Sequence, residues 1–348
     1  MTARRRTLVI LAAALGTILA AEGMARLADP WLPEGCAPQS ATGYGLAPNA
    51  RYTTTGENGP VAVKIDSRGL RGPEITLPKP DDAFRILAIG DEALLAGDTP
   101  LADTFGQLLA GGLTEDVKPA RVELAVAAAP GWGPRHYAAY LAGPARELAP
   151  DFLMIVLATG TDLEPPSDPG RVGVGPRRGF DAALARVSAL WRRVVPPPAL
   201  PEGGLDDAWL RSGVAAPLTE AEPWLARLDE FCRAARLPWL LVVLPAPVQL
   251  DASLLAERRR DAGLPSDVAA DAVNHRLSDF CRERRLACAD LYSDLAADAD
   301  RFPLYRKGGW TLAPAGHQAA ANALIGYFRR FRILEQALVF RTEQGETR

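Results

Sequence analysis

Five side chains with acid, base or nucleophile chemistry follow the first three strongly apolar runs of this sequence. They are Asp91 and Glu92 after the first run, His136 after the second, and Thr161 and Asp162 after the third. Carboxylates and imidazoles can act as general acids or bases, and a hydroxyl can act as a nucleophile when a nearby base takes its proton. Clustered carboxylates can also bind a cation. We therefore treat these residues as a candidate ligand site or rearranged catalytic site.

The apolar runs have the length and character of buried strands. Most are continuous rather than alternating, which is typical of strands covered on both faces of a parallel sheet. Helical patterns separate the runs, so the sequence predicts an α/β fold with helices on both faces of the sheet. Ligands bind outside the carboxyl ends of such strands. The predicted strands are Arg85–Asp91, Val122–Ala129, Asp151–Thr159, Pro238–Pro245 and Leu286–Leu291.

Capping residues and apolar stripes predict the helices. Thr99 and Pro100 indicate the start of one helix, because the missing proline N–H costs nothing at the first helical position. Thr219 and Glu222 form a capping-box pattern before another. Further helices are predicted to begin at Pro134 and to span Phe180–Arg193, Val268–Arg285 and Pro314–Arg330.

Four segments in chain order resemble the sequence blocks of SGNH/GDSL hydrolases, in which a first strand ends in Gly-Asp-Ser. The segments are RILAIGDEALLAG, AAAPGWG, ATGTDL and WTLAPAGHQAAANAL. The lead-in, with YGLAPNARY and IDSRGLRGPE, is similar to the upstream part of membrane-anchored members, so the resemblance covers about residues 5–330. It implies a flavodoxin-like three-layer α/β/α fold with a five-stranded parallel sheet and the hydrolysis of carboxylic esters.

The resemblance fails at the residues that carry the family's chemistry. Glu92 stands at the position of the nucleophilic serine, and Gly309 and Thr311 stand at those of the aspartate and histidine. Ala128 and Thr161 replace the glycine and asparagine of the oxyanion hole. Losing members of such a triad reduces the rate by factors on the order of 10⁴–10⁶. The sequence therefore predicts that no catalytic residue is intact.

Several residues leave alternatives open. Glu92 is either part of an acidic site with Asp162 or a solvated or arginine-paired carboxylate with no function. His136 is either a base in a rearranged site or an ordinary helix histidine. His317 is interpreted as the structural histidine of the last block, with a shifted catalytic base as the alternative, and His275 is interpreted as solvated.

The N-terminal residues predict a membrane segment. Arg4, Arg5 and Arg6 precede an uncharged, mostly apolar run over 7–21. No pair of small residues marks a cleavage site, so an uncleaved anchor is favoured over a cleaved signal peptide. The positive-inside rule then places the rest of the chain outside the bacterial inner membrane, in the periplasm or beyond.

The predicted organisation has four parts, one of which carries an insertion. They are a signal anchor at 1–29, an irregular lead-in at 30–80, an SGNH-like α/β domain at 81–332 with an insertion at 165–217, and a C-terminal tail at 333–348.

The four cysteines allow a disulfide but indicate no metal site. Cys232 and Cys281 occupy similar places in two helix-to-strand units, so a bridge between them is one expectation and two buried apolar side chains are the other. The chain has no CxxC pair. We expect neither a metal nor a cofactor.

The charge balance argues against a nucleic-acid partner. The chain carries 39 Lys and Arg against 42 Asp and Glu, and nucleic-acid binding usually needs a concentrated basic face. The leading hypothesis is an inactive domain that binds a carbohydrate, an acyl group or a protein partner in an envelope pathway. The alternatives are an active esterase or acyltransferase with a rearranged site, and a scaffold without a ligand pocket.

Overall fold

The computed structural model describes most of the chain, and the chain divides into two compact units. The described residues are 5, 15–22, 32–163, 215–262, 269–299, 301–307 and 309–346. The two units are Met1–Pro33 with Asp168–Pro201, and Glu34–Ser167 with Glu202–Arg348.

The first unit is described only in small part. Residues 15–22 are helical, and no helix within the described ranges is long and apolar enough to cross a membrane. The rest of the predicted anchor, apart from Arg5, lies outside the described residues. So do most of the predicted insertion at 165–217 and its predicted helix Phe180–Arg193.

A five-stranded parallel sheet forms the centre of the second unit. Its strands are β5 (Ala83–Gly90), β6 (Arg121–Ala128), β7 (Phe152–Ala158), β8 (Trp239–Leu244) and β9 (Ala287–Asp290), in the order β6-β5-β7-β8-β9. Counted along the sheet's own strands, this is the 2-1-3-4-5 order of flavodoxin-like folds. The predicted fold class is confirmed, and each predicted strand agrees with the structure to within two residues at either end.

Helices cover the sheet. They are α1 (Glu92–Leu95), α2 (Phe105–Leu113), α3 (Pro134–Ala142), α4 (Ala215–Ala235), α5 (Pro247–Leu250), α6 (Ala252–Ala262), α7 (Ala272–Arg284), α8 (Tyr292–Ala299), α9 (Pro314–Arg330) and α10 (Ile333–Glu346). Helix α2 packs against α9, and α3 packs against α4. Strands β5, β7 and β8 are buried throughout, which explains their continuous apolar sequences.

Two predicted helix starts are wrong, because each capping side chain has a distant partner instead. Thr99 faces the ring of His317, with Oγ1 at 3.2 Å from Nε2, and α2 is capped by Thr104. Glu222 forms an ion pair with Arg276 of α7, at 2.8 Å, and α4 begins at Ala215.

The lead-in contains two antiparallel hairpins. They pair β1 (Cys36–Gln39) with β2 (Gly43–Leu46), and β3 (Arg51–Gly56) with β4 (Gly59–Lys64). At the other end of the chain, the segment predicted as a tail forms α10, whose Ile333, Leu334 and Ala337 are buried.

The structure contains no bridge between Cys232 and Cys281, because all four cysteines are free thiols. Cys232 and Cys281 are both buried, as small apolar side chains often are. A hydrogen bond from the thiol of Cys288 to the sulfur of Cys281, together with burial, raises the pKa of Cys288 far above its ordinary value. Cys281 therefore contacts Cys288 of β9.

Candidate functional site

The loop after β5 holds the first two acidic side chains in fixed positions. Gly90 ends the strand where an added Cβ would lie 2.8 Å from the Cβ of Leu94, so a side chain does not fit without displacement. Asp91 then caps α1, and its Oδ1 accepts a hydrogen bond from the N–H of Ala93 at 2.8 Å. The first block thus forms a strand-to-helix turn, in which Gly90 ends β5 and Asp91 caps α1.

Glu92 follows the cap and turns its carboxyl toward the loop after β6. Its Oε2 accepts a hydrogen bond from the N–H of Gly131 at 2.8 Å, and the carboxyl also accepts one from its own backbone N–H. Gly131 has a φ of +75°, which glycine adopts without strain and which side chains rarely adopt. Burial and the neighbouring charge of Asp91 raise the pKa of Glu92 to about 8, against the lowering effect of the two amides.

Thr161 and Asp162 join this site from the end of β7. Thr161 donates its hydroxyl hydrogen to Oδ2 of Asp91, at 2.5 Å. Asp162 is buried and accepts hydrogen bonds from the hydroxyl of Tyr137 and from the N–H of Ala158, each at 2.7 Å. We call Asp91, Glu92 and Asp162 the acidic cluster.

The acidic cluster is protonated more readily than free carboxyl groups are. Burial raises the pKa of Asp162 to about 7, although hydrogen bonds from Asp91 and Tyr137 lower it. Burial and the charge of Asp162 raise the pKa of Asp91 well above its ordinary value. Among the ion pairs of the described residues, none joins a lysine or arginine to these three carboxyls. The cluster therefore shares protons and hydrogen-bond donors rather than cations.

His136 lies in α3 with its ring engaged elsewhere. Nδ1 accepts a hydrogen bond from the N–H of Gly133 at 3.2 Å, and the ring stacks on Trp132 with centroids 6.2 Å apart. Burial, followed by the charge of Arg135, lowers the pKa of His136 to about 4. The ring is therefore neutral near pH 7, and no hydrogen bond of the described residues joins it to Thr161 or Glu92.

The last block lies against a carboxylate that sequence reasoning missed. Thr311 donates its hydroxyl hydrogen to Oδ2 of Asp98 at 2.6 Å, and Nε of Arg306 lies 3.0 Å from the same oxygen. Arg306 also donates to the backbone carbonyl of Asp98 at 2.9 Å. We call Asp98, Arg306 and Thr311 the Asp98 cluster. It cross-links the loop after α1 to the segment before α9.

Gly309 contributes no side chain to this region. An added Cβ there would lie 3.6 Å from the nearest atoms of Arg306, which is ordinary van der Waals contact. The position therefore has room for a larger residue.

The other two histidines are also engaged in structural contacts. His317 is fully buried in α9, where Nδ1 accepts a hydrogen bond from the N–H of Phe105 at 3.2 Å and Nε2 faces Thr99. Burial lowers the pKa of His317 to about 4. His275 is exposed on α7, 3.2 Å from Asp271. The contacts of all three imidazoles leave the acidic cluster without a histidine base.

The remaining candidate positions also lack free catalytic groups. Ala128 is buried at the end of β6, in register with Gly90. The Thr161 hydroxyl is committed to Asp91, so it does not stand in as an oxyanion donor in this arrangement. Within the described ranges, no set of three or more His, Cys, Asp or Glu side chains is placed to hold a metal ion.

Hydrogen bonds connect the lead-in to the loops that follow β5 and β6. The sequence did not predict these contacts. The hydroxyl of Tyr44 donates to the carbonyl of Pro130 at 2.8 Å, and the indole N–H of Trp132 donates to the carbonyl of Tyr44 at 3.0 Å. Buried Arg71 donates to the carbonyls of Leu95 and Ala96, and to that of Thr99 at 2.6 Å. The only sequence signals are the YGLAP and RGLRG segments, which by themselves read as turns.

Comparisons with known proteins found similarity among solved structures only. No protein-family model matches the sequence, and no curated protein matches it. Among solved structures, the chain is similar to TesA, with a TM-score of 0.42, 13% identity, and coverage of 71% of this chain and 98% of that one.

Two further solved structures are similar at the same level. One is a lipolytic G-D-S-L family protein from Veillonella parvula, with a TM-score of 0.41, 12% identity, and coverage of 71% of this chain and 98% of that one. The other is a catalytic mutant of the acetylxylan esterase Axe2 from Geobacillus stearothermophilus, with a TM-score of 0.42, 14% identity, and coverage of 70% and 92%. The strand order of the sheet itself establishes the flavodoxin-like fold of this chain.

Proposed function

We propose that this chain is a non-hydrolytic SGNH-hydrolase-like protein that uses the acidic cluster as a binding site. Its ligand is a carbohydrate, an acyl group or a protein partner of an envelope pathway. The N-terminal segment 1–29 holds the domain at the outer face of a bacterial inner membrane. The arginines before the apolar run support the anchor and its orientation.

The contact between Glu92 and Gly131 carries the proposal. An ester hydrolase must bring a nucleophile and free backbone donors to one carbonyl carbon. Here a carboxyl stands at the position of the serine and accepts hydrogen bonds from two backbone amides, those of Gly131 and of Glu92 itself. The amide donors at this strand end therefore already have an acceptor.

Binding fits the acidic cluster better than a purely structural role. Buried carboxyls with raised pKa values are costly unless a partner compensates them, and such groups collect at functional sites. A carboxyl that is protonated near neutral pH both donates and accepts hydrogen bonds. Sugar hydroxyls and backbone amides have matching donors and acceptors, which is why this class of ligand suits the site.

Ester hydrolysis by purified protein tests the proposal. We expect wild-type protein to hydrolyse p-nitrophenyl acetate at the rate of buffer alone. The triple variant Glu92→Ser/Gly309→Asp/Thr311→His restores the three side chains of the family, and Gly309 has room for the new Cβ. We expect the triple variant to exceed wild type by at least about tenfold. Wild-type turnover that disappears in Glu92→Gln would contradict the proposal.

One observation favours an active enzyme as the second candidate. The Thr161 hydroxyl lies 2.5 Å from a carboxyl oxygen of Asp91, which is the geometry of a nucleophile beside a base. A rearranged esterase or acyltransferase would then use Thr161 as its nucleophile. Replacing Thr161 by valine removes the hydroxyl at nearly constant volume. Activity in wild type that is lost in Thr161→Val, with unchanged thermal stability, would favour this candidate.

A further inference from the structure

A cavity lies at the amino end of the sheet, opposite the edge that carries the acidic cluster. Asp151, which precedes β7, and Pro238, which precedes β8, both line it. Helix α10 closes one side with Phe340 and Arg341. The cavity has a volume of about 250 Å³. It is independent of the proposed function, since none of its lining residues belongs to the acidic cluster.

Most of the residues that line this amino-end cavity are apolar, although polar and apolar atoms contribute about equally to its surface. The apolar side chains come from α3, α4 and α10 and from the turn before β8, and they include Leu141, Phe231, Leu237, Ala337 and Phe340. Apolar walls with a few placed polar groups are typical of small-molecule sites. The volume corresponds to roughly eight water-sized volumes of about 30 Å³ each. The space therefore suits an apolar body of about eight to ten heavy atoms.

The polar groups of the cavity are mostly cationic. Arg146, Arg236 and Arg341 line it, and Asp151 is the one acidic residue among the lining residues that the structure describes. The Asp151 carboxylate is already compensated, because it contacts the ammonium of Lys79 and accepts a hydrogen bond from the backbone N–H of Arg85 at 2.8 Å. The local charge is therefore positive in a chain whose net charge is negative.

Arg146 is the cation best placed to meet a ligand. Its guanidinium lies over the ring of Phe231, 5.8 Å from the centroid, and the side chain is exposed. Among the described residues it forms no ion pair. Arg341, in contrast, is held in place by the backbone carbonyls of Ala83 and Asp81. A planar guanidinium that rests on a ring and keeps its donors free can bind a carboxylate through two parallel hydrogen bonds.

We propose that the amino-end cavity binds a small amphiphilic carboxylate. The apolar tail lies between Phe231 and Phe340, and the carboxylate pairs with Arg146. A medium-chain fatty acid has this chemistry. Its number of heavy atoms fits the cavity volume. Its carboxylate is complementary to the arginines, and its tail is complementary to the apolar side chains that line the cavity.

Isothermal titration calorimetry of the full-length protein tests this inference, with octanoate as the probe. Two controls separate the parts of the ligand, since 1-octanol has the tail without the charge and acetate has the charge without the tail. We expect saturable binding of octanoate at a single site. We expect at least about tenfold weaker binding of both controls, because each loses one of the two contributions.

Two variants locate the site. Arg146→Gln removes the cation, and we expect it to weaken octanoate binding about tenfold while leaving octanol unchanged. Ala235→Trp places a large ring into the cavity from an exposed position at the end of α4, and we expect it to abolish binding. The matched control is Arg330→Gln, because Arg330 is also an exposed arginine over a phenylalanine ring but lies outside the cavity.

Several outcomes would overturn the inference. They are equal binding of octanol and octanoate, undiminished binding in folded Ala235→Trp, and a loss in Arg330→Gln as large as that in Arg146→Gln. Sedimentation with vesicles that contain phosphatidylglycerol separates a free acid from a lipid surface. Binding to vesicles without binding of monomeric octanoate would show that the arginines contact a membrane and that the cavity is not a fatty-acid site.

Discussion

The acidic cluster and the Asp98 cluster both lie beside the loops at the carboxyl edge of the sheet. They differ in whether a cation compensates the carboxyl groups. Asp98 has a guanidinium at 3.0 Å and a hydroxyl donor at 2.6 Å, so its charge is compensated. The acidic cluster places three carboxyls together with only hydroxyl and amide donors around them. Because no cation offsets the effect of burial, the pKa values of these three carboxyls are raised.

This difference separates a structural site from a candidate binding site. In the Asp98 cluster a cation and a hydroxyl donor compensate the carboxylate, and together the three residues connect two loops. In the acidic cluster the groups stay partly uncompensated, which destabilises the folded chain near neutral pH. A ligand that supplies donors would remove that deficit. The expected signs of the mutational effects are therefore opposite in the two clusters.

The largest expected effect is in the Asp98 cluster. Replacing Arg306 by methionine keeps the apolar stem but leaves the Asp98 carboxylate without its cation. The pair is half-buried, with 17% and 19% of the two side chains exposed, so it is less screened than a surface pair. We expect the free energy of unfolding to fall by about 2 kcal/mol, measured by urea denaturation at pH 7.

The exposed pair formed by Arg332 and Glu335 provides the control for this measurement. Arg332→Met should change stability by less than about 0.5 kcal/mol. Equal losses in the two variants would mean that the Asp98 cluster contributes no more than a surface contact.

The second expected effect is a pH dependence of the acidic cluster. Glu92 and Asp162, with pKa values raised to about 8 and about 7, bind protons more tightly in the folded chain than in the unfolded one. The stabilisation that such a group contributes is fully present at pH values below its pKa in the unfolded chain. It is lost as the pH rises through the group's pKa in the folded chain. We expect the free energy of unfolding to fall by about 1 kcal/mol between pH 7 and pH 8.

Glu92→Gln isolates the contribution of one carboxyl. The amide can still accept from the N–H of Gly131 but cannot ionise, so the variant should be more stable than wild type, and the difference should grow from pH 7 to pH 8. His136 and His317 contribute equally to wild type and variant, so their effect cancels in this difference. A wild-type curve that is parallel to the variant curve would show that Glu92 does not titrate in this range.

The smallest expected effect again concerns the Asp98 cluster. Thr311→Val removes one hydrogen bond to Asp98 while Arg306 stays in place. We expect a loss of about 0.5–1 kcal/mol in the free energy of unfolding, without a change in its pH dependence. If the loss equals that of Arg306→Met, the hydroxyl and the cation act as one unit, and the double variant would show no further loss.

The strands were predictable because burial on both faces imposes continuous apolar runs. The positions of Asp91, Glu92, Thr161 and Asp162 at one sheet edge follow from the same reasoning, since parallel strands end together. The helix starts that local patterns predicted at Thr99 and Thr219 are wrong. The reason is that the side chains involved have partners in distant parts of the chain. Thr99 faces His317, and Glu222 pairs with Arg276.

The Asp98 cluster and the contacts of the lead-in could not be predicted from the sequence, because in both cases the partners lie far apart along the chain. Asp98 directly follows Gly97, in a block already recognised, but nothing local indicates that Arg306 lies beside it more than 200 residues later. His136 follows a predicted strand, as a catalytic base would. Its ring direction is decided by stacking on Trp132, and a sequence pattern does not report a side-chain rotamer.

Arg71, in the segment between β4 and β5, donates hydrogen bonds to three backbone carbonyls at and after the end of α1. Removal of the first 80 residues would remove Arg71, the donor to the buried carbonyls of Leu95, Ala96 and Thr99. Water does not easily replace a donor at buried carbonyls. The smallest piece of this chain that unfolds as a single cooperative unit should therefore begin upstream of the sheet, near residue 34. Expression boundaries drawn at the start of β5 would cut through it.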